Sequence, residues 1–382
     1  MRYQLKIPAR INILGNPSDA NEGDFATISA AVDLFAHASI ENFEDILIEQ
    51  VHKKGPDEKL IFRQKFQSEQ IPLPYDGKLD LIKGSINRLW MYSPEFREKI
   101  TRKGFKISTW TDVPRQSGLG GSTLFILLTL GGLRQLFELD HNNHNDYVLA
   151  ELTQRVEAKE LGITCGYADR YVPLFGGIAY LDYRGKLHQL DINDEPYVTY
   201  ERLDTWVESL PLVAISSGIP HNSGNVHGQM RPRYIDEHDQ WIETGGKMPS
   251  MVRYMSGAWE TAWRGKIALI QQDWETFGHL MNENHAWVDQ MMTYCGFEDG
   301  AGWANNLLIE VALKNGALGA KLTGAGGGGS VFAVAHPDDH PKLISAWEKT
   351  VKEAGLTKAQ IYFPKISRQG LIVDRIENAE FV

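Results

Sequence analysis

Residues 113–123 read Val-Pro-Arg-Gln-Ser-Gly-Leu-Gly-Gly-Ser-Thr and lie between a strand pattern and a strongly apolar helix pattern at 124–137. Before this stretch, Phe105, Ile107 and Thr109 recur with the period of two that is typical of a strand with one buried face. Glycines at such a junction let backbone amides approach an anion, and the helix N-terminus adds unpaired N–H groups. A glycine cluster before a helix is commonly a tight turn, and a phosphate-binding loop is the functional alternative. It is not a Walker A loop, because no Gly-Lys-Ser/Thr closes it.

A second glycine cluster occurs near the C-terminal end, where residues 321–330 read Lys-Leu-Thr-Gly-Ala-Gly-Gly-Gly-Gly-Ser before an apolar run. Ordering so many glycines costs conformational entropy unless the backbone must take positive φ or pass close to another group. A close approach to a ligand is one explanation, and a flexible hairpin connection is the other. The strand pattern that follows favours an ordered loop.

A third segment lies near the N-terminus, where residues 8–19 read Pro-Ala-Arg-Ile-Asn-Ile-Leu-Gly-Asn-Pro-Ser-Asp. Its polar residues leave a short apolar run and enter a turn, so Asn16, Ser18 and Asp19 can face a cleft together. The same four letters, Asn-Pro-Ser-Asp, are also ordinary turn chemistry.

Composition narrows the class of protein. The 382 residues are 42% hydrophobic, which suits a globular enzyme of two domains. A formal net charge of -10 disfavours nucleic acid as a partner. The 2 cysteines, Cys165 and Cys295, are far apart, which argues against a disulfide framework or a zinc site. The most apolar run, at 123–133, is too short to span a membrane, so we expect a cytoplasmic protein without membrane association.

Hydrophobic periodicity predicts a mixed α+β protein. Helix patterns cover 79–89, 146–161, 251–272 and 274–292, and strand patterns cover 212–216, 330–335 and 360–363. A polar, turn-rich stretch ends near Pro211, so we place the domain boundary between an N-terminal unit, 1–208, and a C-terminal unit, 209–382. Residues 217–239 are predicted to form a long loop.

Together, the three segments resemble the motifs of the GHMP superfamily of small-molecule kinases in order and spacing, over nearly the whole chain. The segment at 321–330 is similar to the family's Lys-x-Thr-Gly-Ala-Gly-Gly-Gly-Gly loop almost letter for letter. The resemblance implies an ATP-dependent kinase with a two-domain fold. Its N-terminal domain would be of the ribosomal-protein-S5-like type and its C-terminal domain ferredoxin-like, with ATP and the acceptor in the cleft between them.

The resemblance also implies roles for single residues. Glu157, followed by Gly162, Gly166 and Asp169, is similar to the family's helix Glu and Gly-x-x-x-Gly-x-x-Asp pattern, which makes Asp169 the catalytic base with Arg10 beside it. Without that resemblance, Asp169 beside an arginine would be an ordinary solvated ion pair. Ser122 and Glu157 would hold Mg²⁺. The nucleotide would contact Pro114, Ser117, Gly118, Leu119, Gly120, Gly121, Ser122 and Thr123, and the acceptor would contact Asn16, Ser18, Asp19, Gly324, Ala325, Gly326 and Gly327.

Two departures from the common motifs bear on the acceptor. Gly121-Ser122 stands where many relatives have Ser-Ser, which keeps the expected metal ligand. Residues 15–19, Gly-Asn-Pro-Ser-Asp, differ from the Gly-Glu-His-Thr-Asp of galactokinases and are similar to glucuronokinase-like members. Residues 223–234 are also similar to that group's Ser-Gly-x-Val-His-x-x-x-Arg-x-Arg region. Arg231 or Arg233 could pair with a sugar carboxylate, with surface salt bridges or nucleotide phosphate as alternatives.

The expected activity is therefore transfer of the ATP γ-phosphate to a hydroxyl, taken as the anomeric one, of a sugar or uronic acid. The alternatives are a kinase for a heptose or a non-sugar alcohol, and a sensor that binds nucleotide or sugar without catalysis. The sequence leaves the identity of the sugar, the base preference and the oligomeric state open.

Overall fold

The computed structural model describes residues 1–20, 25–55, 57–184, 186, 190–220 and 223–376. Its strands are β1 (Arg2–Leu14), β2 (Ala26–Phe43), β3 (Ile46–Lys54), β4 (Asp57–Phe66), β5 (Gly104–Thr111), β6 (Ile178–Asp182), β7 (Thr199–Arg202), β8 (Leu212–Ser216), β9 (Ala317–Thr323), β10 (Ser330–Ala335), β11 (Gln360–Tyr362) and β12 (Ile372–Ile376). Its helices are α1 (Asp80–Tyr92), α2 (Pro94–Ile100), α3 (Gly121–Leu136), α4 (Asp146–Arg155), α5 (Ala168–Phe175), α6 (Ser223–Thr244), α7 (Ser250–Gln271), α8 (Trp274–Tyr294), α9 (Trp303–Lys314) and α10 (His340–Glu353).

A mostly antiparallel sheet in the order β12-β1-β2-β5-β3-β4 organises the first half of the chain, and β6 and β7 extend it from β2. Only β3 and β5 pair in parallel among the described strands. Phe105, Ile107 and Thr109 are fully buried on one face of β5, which confirms the period-two pattern. The apolar helix α3 packs on β1 and β2, so the loop before α3 is fixed at the end of this sheet.

A second sheet in the order β11-β8-β10-β9 lies in the second half, with antiparallel pairing throughout. The elements of this half follow in the order β8, α6 to α9, β9, β10, α10 and β11. This is the ferredoxin-like arrangement. Both halves contribute to one buried hydrophobic cluster, which includes Ile28, Ala262 and Phe332. Among the described residues, no helix is both long and apolar enough to cross a membrane. Cys165 and Cys295 are free.

Two expectations need correction. The chain changes from one sheet to the other between Arg202 and Leu212, around the predicted boundary, but β12 returns to the first sheet and pairs Val373 with Leu5 of β1. The last strand, β12, therefore does not belong to the predicted C-terminal unit of 209–382. The predicted loop at 217–239 is wrong from residue 223 onwards, because α6 occupies it. Pro232 and two glycines concealed a helical stripe of buried Val226, Met230 and Tyr234.

Helix α8 approaches β9 closely enough that both contacting positions must be glycine. A Cβ on Gly278 would lie 2.6 Å from the Leu318 carbonyl carbon, and one on Gly319 would lie 2.1 Å from the Gly278 oxygen. The Asn282 side chain then donates to the Leu318 oxygen at 3.2 Å and accepts from the Ala320 amide at 2.9 Å. Since β9 leads directly into the loop at 324–329, this contact fixes one wall of the cleft.

We expect Gly278→Ala to lower the free energy of unfolding by about 1–3 kcal/mol, because its methyl group has no room against β9. Gly228→Ala on α6 is the matched control, since a Cβ there meets nothing within 4 Å. That change should raise stability by up to about 1 kcal/mol, because alanine favours a helix over glycine. Urea denaturation of both variants measures the difference, and equal stability for the two would contradict the close approach.

Candidate active site

A cavity of about 700 Å³ opens where the three sequence segments meet. Such a volume suits a small-molecule site. Most of the site residues expected from the sequence line it: Arg10, Asn16, Asp19, Pro114, Ser117, Gly118, Gly120, Gly121, Ser122, Glu157, Asp169, Gly324 and Ala325. Side chains that are far apart in the chain thus face one space.

A short ion pair between Arg10 and Asp169 lies at the centre of the cavity wall. Nε of Arg10 donates to Asp169 Oδ1 at 2.6 Å, and its Nη1 donates to the Gly118 oxygen. The Arg10 side chain is 4% exposed and that of Asp169 is 22% exposed, so the carboxylate is the more accessible partner of the pair. Burial alone would raise the pKa of Asp169, but the charge and hydrogen bond of Arg10 lower it to about 2. Asp169 is therefore ionised at neutral pH.

Asp19 supports the helix that carries Asp169. Its Oδ2 accepts hydrogen bonds from the amides of Tyr167 at 3.1 Å and Ala168 at 3.0 Å, which are unpaired donors at the start of α5. Burial first, and then the charge of Asp169, raise the pKa of Asp19. Asp19 also lines the cavity, so it can contact an acceptor as well.

Asn16 joins the N-terminal segment to the glycine-rich loop after β9. Its Nδ2 donates to the Gly324 oxygen at 3.0 Å, and its Oδ1 accepts from Lys321 Nζ at 2.7 Å. Lys321 is fully buried, and burial holds the pKa of its amine well below the usual range. Burial therefore disfavours the charged form of this amine, and its hydrogen bond to Asn16 compensates in part for the loss of water.

Ser122 and Glu157 bring two oxygen atoms together at the cavity. Ser122 lies in the first turn of α3, and Glu157 lies in a π-helical turn, Val156–Glu160, that continues α4. Ser122 Oγ donates to Glu157 Oε1 at 3.1 Å. Neighbouring ligands of an octahedral Mg²⁺ are about 2.9 Å apart, given bonds of 2.0–2.1 Å. The spacing and the hard oxygen donors therefore fit this ion.

Several residues that the sequence assigned to ligands make hydrogen bonds within the protein. Ser18 is fully buried, and its hydroxyl donates to the Ala26 oxygen at 3.4 Å. The Thr123 hydroxyl donates to Glu157 at 3.2 Å, and the Leu119 oxygen accepts from the Arg10 amide at 3.4 Å. None of the three is among the described residues that line the cavity.

The glycines at 326 and 327 also lie outside the described cavity wall. A Cβ on Gly326 would lie 2.6 Å from Met292 Sδ, so this position is glycine because of packing. The Gly327 amide donates to the Ala301 oxygen at 2.9 Å, which ties the loop to the segment before α9. These contacts give both glycines a role in packing, and their assignment to acceptor contacts stays a prediction.

The two arginines of α6 are not among the described residues lining the cavity. Arg233 donates to the Tyr294 oxygen at 2.6 Å, lies 4.0 Å from the Tyr294 ring centroid and pairs with Glu237 at 3.6 Å. These contacts favour the salt-bridge alternative for Arg233, and its pairing with a sugar carboxylate stays a prediction. Arg231 is partly buried, and burial lowers the pKa of its guanidinium.

Sequence reasoning missed part of the wall. Ser223 and His227, one helical turn apart on α6, line the cavity, and the predicted loop at this place concealed that spacing. An apolar part of the wall has no local sequence signal, because its residues come from several elements: Phe62, Leu79, Leu81, Ile82, Phe125, Leu161 and Ile163.

Comparison with known proteins places this geometry in a family. Residues 81–177 match the family model of the GHMP kinases N terminal domain, and residues 305–353 match that of the GHMP kinases C terminal. The chain is 30% identical to "Probable glucuronokinase 2" of Arabidopsis thaliana, over 91% of this chain and 87% of that protein. The chain belongs to the GHMP kinase family.

Two further matches agree with this assignment. The D-glycero-alpha-D-manno-heptose 7-phosphate kinase of Campylobacter jejuni is 24% identical, over 90% of this chain and 92% of that protein. The crystal structure of Lactococcus lactis galactokinase with galactose superposes with a TM-score of 0.74 at 20% identity, covering 97% of this chain and 95% of that one. This GHMP kinase therefore has the family's two-domain fold, and it is a phosphotransferase.

We expect Arg10→Gln to make catalysis sensitive to acid. Above pH 4 the wild-type Asp169 stays ionised, because its pKa is about 2. Without Arg10, burial and the charge of Asp19 should raise that pKa, so kcat/KM should fall as the pH drops through the new value.

The control is Arg63→Gln, which removes a pair with Glu49 at 2.6 Å on the outer strands; neither residue is among those described as lining the cavity. A pH–rate profile between pH 5 and 9 compares the variants. A loss of the same size at every pH in Arg10→Gln would argue against this role of the ion pair.

Proposed function

We propose that this kinase transfers the γ-phosphate of ATP to a hydroxyl of a sugar or uronic acid, with Asp169 facing that hydroxyl. The observation that carries the proposal is the ionised Asp169, held by Arg10 in a cavity that also contains a glycine loop and an oxygen pair suited to Mg²⁺. The names of the glucuronokinase and heptose phosphate kinase relatives support a sugar as acceptor.

The loop before α3 supplies the features that a triphosphate needs. Gly118 and Gly120 have φ of 77° and 78°, a conformation that turns successive backbone amides towards one side. α3 begins at Gly121, so its unpaired amides and positive dipole end face the cavity. Ser122 and Glu157 would hold Mg²⁺, which supplies charge neutralisation on the phosphates when it is bound.

Asp169 contributes orientation and charge more than basicity. A carboxylate with a pKa near 2 is a weak base, whereas an efficient general base has a pKa close to the working pH. In phosphoryl transfer, positioning and electrostatics dominate, so a weak base is sufficient if it aligns the hydroxyl and accepts its proton as the new bond forms. Arg10 keeps this carboxylate ionised and in place.

Our preferred substrate is a uronic acid, and the proposed site of phosphorylation is its anomeric hydroxyl. Support comes from the Gly-Asn-Pro-Ser-Asp segment at 15–19 and from the glucuronokinase relative. A heptose or a non-sugar alcohol is the second candidate, favoured by the heptose phosphate kinase relative. A silent sensor is disfavoured by the presence of Arg10, Ser122, Glu157 and Asp169 in one cavity.

An acceptor screen tests this preference. Release of ADP from Mg·ATP should be stimulated most by a uronic acid, with neutral hexoses, heptose phosphates and mevalonate as comparison acceptors. Phosphorus NMR should then show the coupling of an anomeric phosphate. Stimulation by a heptose alone would favour the second candidate. Tight ATP binding without stimulation by any acceptor would indicate the sensor.

We expect Asp169→Asn to lower kcat by about 10²–10⁴-fold, because a neutral amide neither accepts the proton nor orients the hydroxyl. ATP affinity should stay within a few-fold of wild type. Asp182→Asn is the control, since Asp182 pairs with Arg184 and is not among the described cavity-lining residues. Comparable turnover in Asp169→Asn would remove the proposed base.

A further inference from the structure

A second arginine, which follows the proposed base directly, is buried beside the oxygen pair. Arg170 is fully buried on α5, and its Nη2 donates to Glu157 Oε2. A guanidinium without solvent contact requires a charged partner, and Glu157 is the partner that this geometry provides.

The two oxygens of Glu157 have different surroundings. Oε2 accepts from Arg170, while Oε1 accepts from Ser122 at 3.1 Å; the Thr123 hydroxyl lies 3.2 Å from Oε1 and 3.4 Å from Oε2. Contacts on both oxygens fix the rotation of the carboxylate about its last bond. As a result, one oxygen is directed to the protein interior and the other to Ser122 and the cavity.

Further ionisable groups surround Arg170. Asp169 lies on the same helix, and Cys165 lies on the loop before it. Asp19 lies on the turn at Ser18–Ala20, and Tyr183 follows β6. Each of the four groups interacts electrostatically with Arg170. In the described structure, Nε and Nη1 of Arg170 have no hydrogen-bond partner. Its one directional contact is therefore the bond to Glu157.

We infer that Arg170 is a positioning residue for the divalent cation: it holds Glu157 by Oε2 so that Oε1 lies beside the Ser122 hydroxyl. This inference rests on the proposed function of Ser122 and Glu157. Arg170 does not touch the cavity space, so its effect passes through Glu157. Residues that fix a ligating carboxylate in this way typically change metal affinity by about 10–100-fold when they are replaced.

The test measures metal binding directly. Mn²⁺ affinity of the enzyme–ADP complex, followed by electron paramagnetic resonance of free Mn²⁺, is compared for wild type, Arg170→Lys, Arg170→Gln and Glu157→Gln. We expect Arg170→Gln to weaken binding by about 10–100-fold. Arg170→Lys should lose less, because lysine keeps the charge and one donor but not the planar fork.

Arg155→Lys is the matched control. Arg155 is also buried and pairs with Glu151 at 3.0 Å and Glu195 at 3.2 Å, but it is not among the described residues of the cavity wall. It should lower the thermal midpoint as Arg170→Lys does and leave Mn²⁺ affinity unchanged. If Arg170→Gln does not fold, the folded Arg170→Lys decides the question.

The outcomes separate the two ideas. Weaker Mn²⁺ binding in Glu157→Gln with wild-type affinity in the folded Arg170 variant would overturn the positioning role alone. Unchanged affinity in Glu157→Gln would overturn the metal site itself. A double variant, Glu157→Gln with Arg170→Lys, should bind Mn²⁺ no more weakly than Glu157→Gln, because Arg170 acts only through that carboxylate. Additive losses in the double variant would also contradict the inference.

Discussion

The ion pair of Arg10 and Asp169 connects the parts of the molecule on which the site depends. Arg10 belongs to β1, Asp169 begins α5, and the second donor of Arg10 holds the Gly118 oxygen of the loop before α3. Burial alone would raise the pKa of Asp169 and favour its protonated form. The guanidinium of Arg10 lowers that pKa and so keeps the carboxylate negatively charged. The same contact therefore sets the position of the loop and the charge of the carboxylate.

Further charged groups surround the ion pair of Arg10 and Asp169. Asp19, Glu157 and Asp169 place three carboxylates around the two guanidinium groups of Arg10 and Arg170. Burial lowers the pKa of the Lys321 amine, and the amine donates a hydrogen bond to Asn16. Arg115 and Lys78 also line the cavity, and a divalent cation held by Ser122 and Glu157 would further offset the charge of a triphosphate.

Local sequence patterns predicted local structure well. The strands at 212–216 and 330–335 were predicted at the bounds that the structure has, since short apolar runs between turn residues leave little choice. The pairing of β12 with β1 was not predictable in this way, because hydrophobic periodicity shows that a segment is a strand but not which distant strand it pairs with. α6 was missed because Pro232 and its glycines outweighed a sparse buried stripe. Arg170 was missed because a buried ion pair has no sequence spacing of its own.

The motifs were read as ligand contacts, yet part of their glycine content comes from contact between the two loops themselves. A Cβ on Gly118 would lie 2.7 Å from the Thr323 oxygen, one on Gly324 would lie 3.1 Å from Gly118 Cα, and one on Gly329 would lie 3.0 Å from the Ser117 oxygen. Any side chain at these positions would push the loops apart and open the cavity between them. The loop before α3 and the loop after β9 therefore pack so closely that each must have glycine where it contacts the other. This explains why a motif letter alone does not show whether its residue touches a ligand.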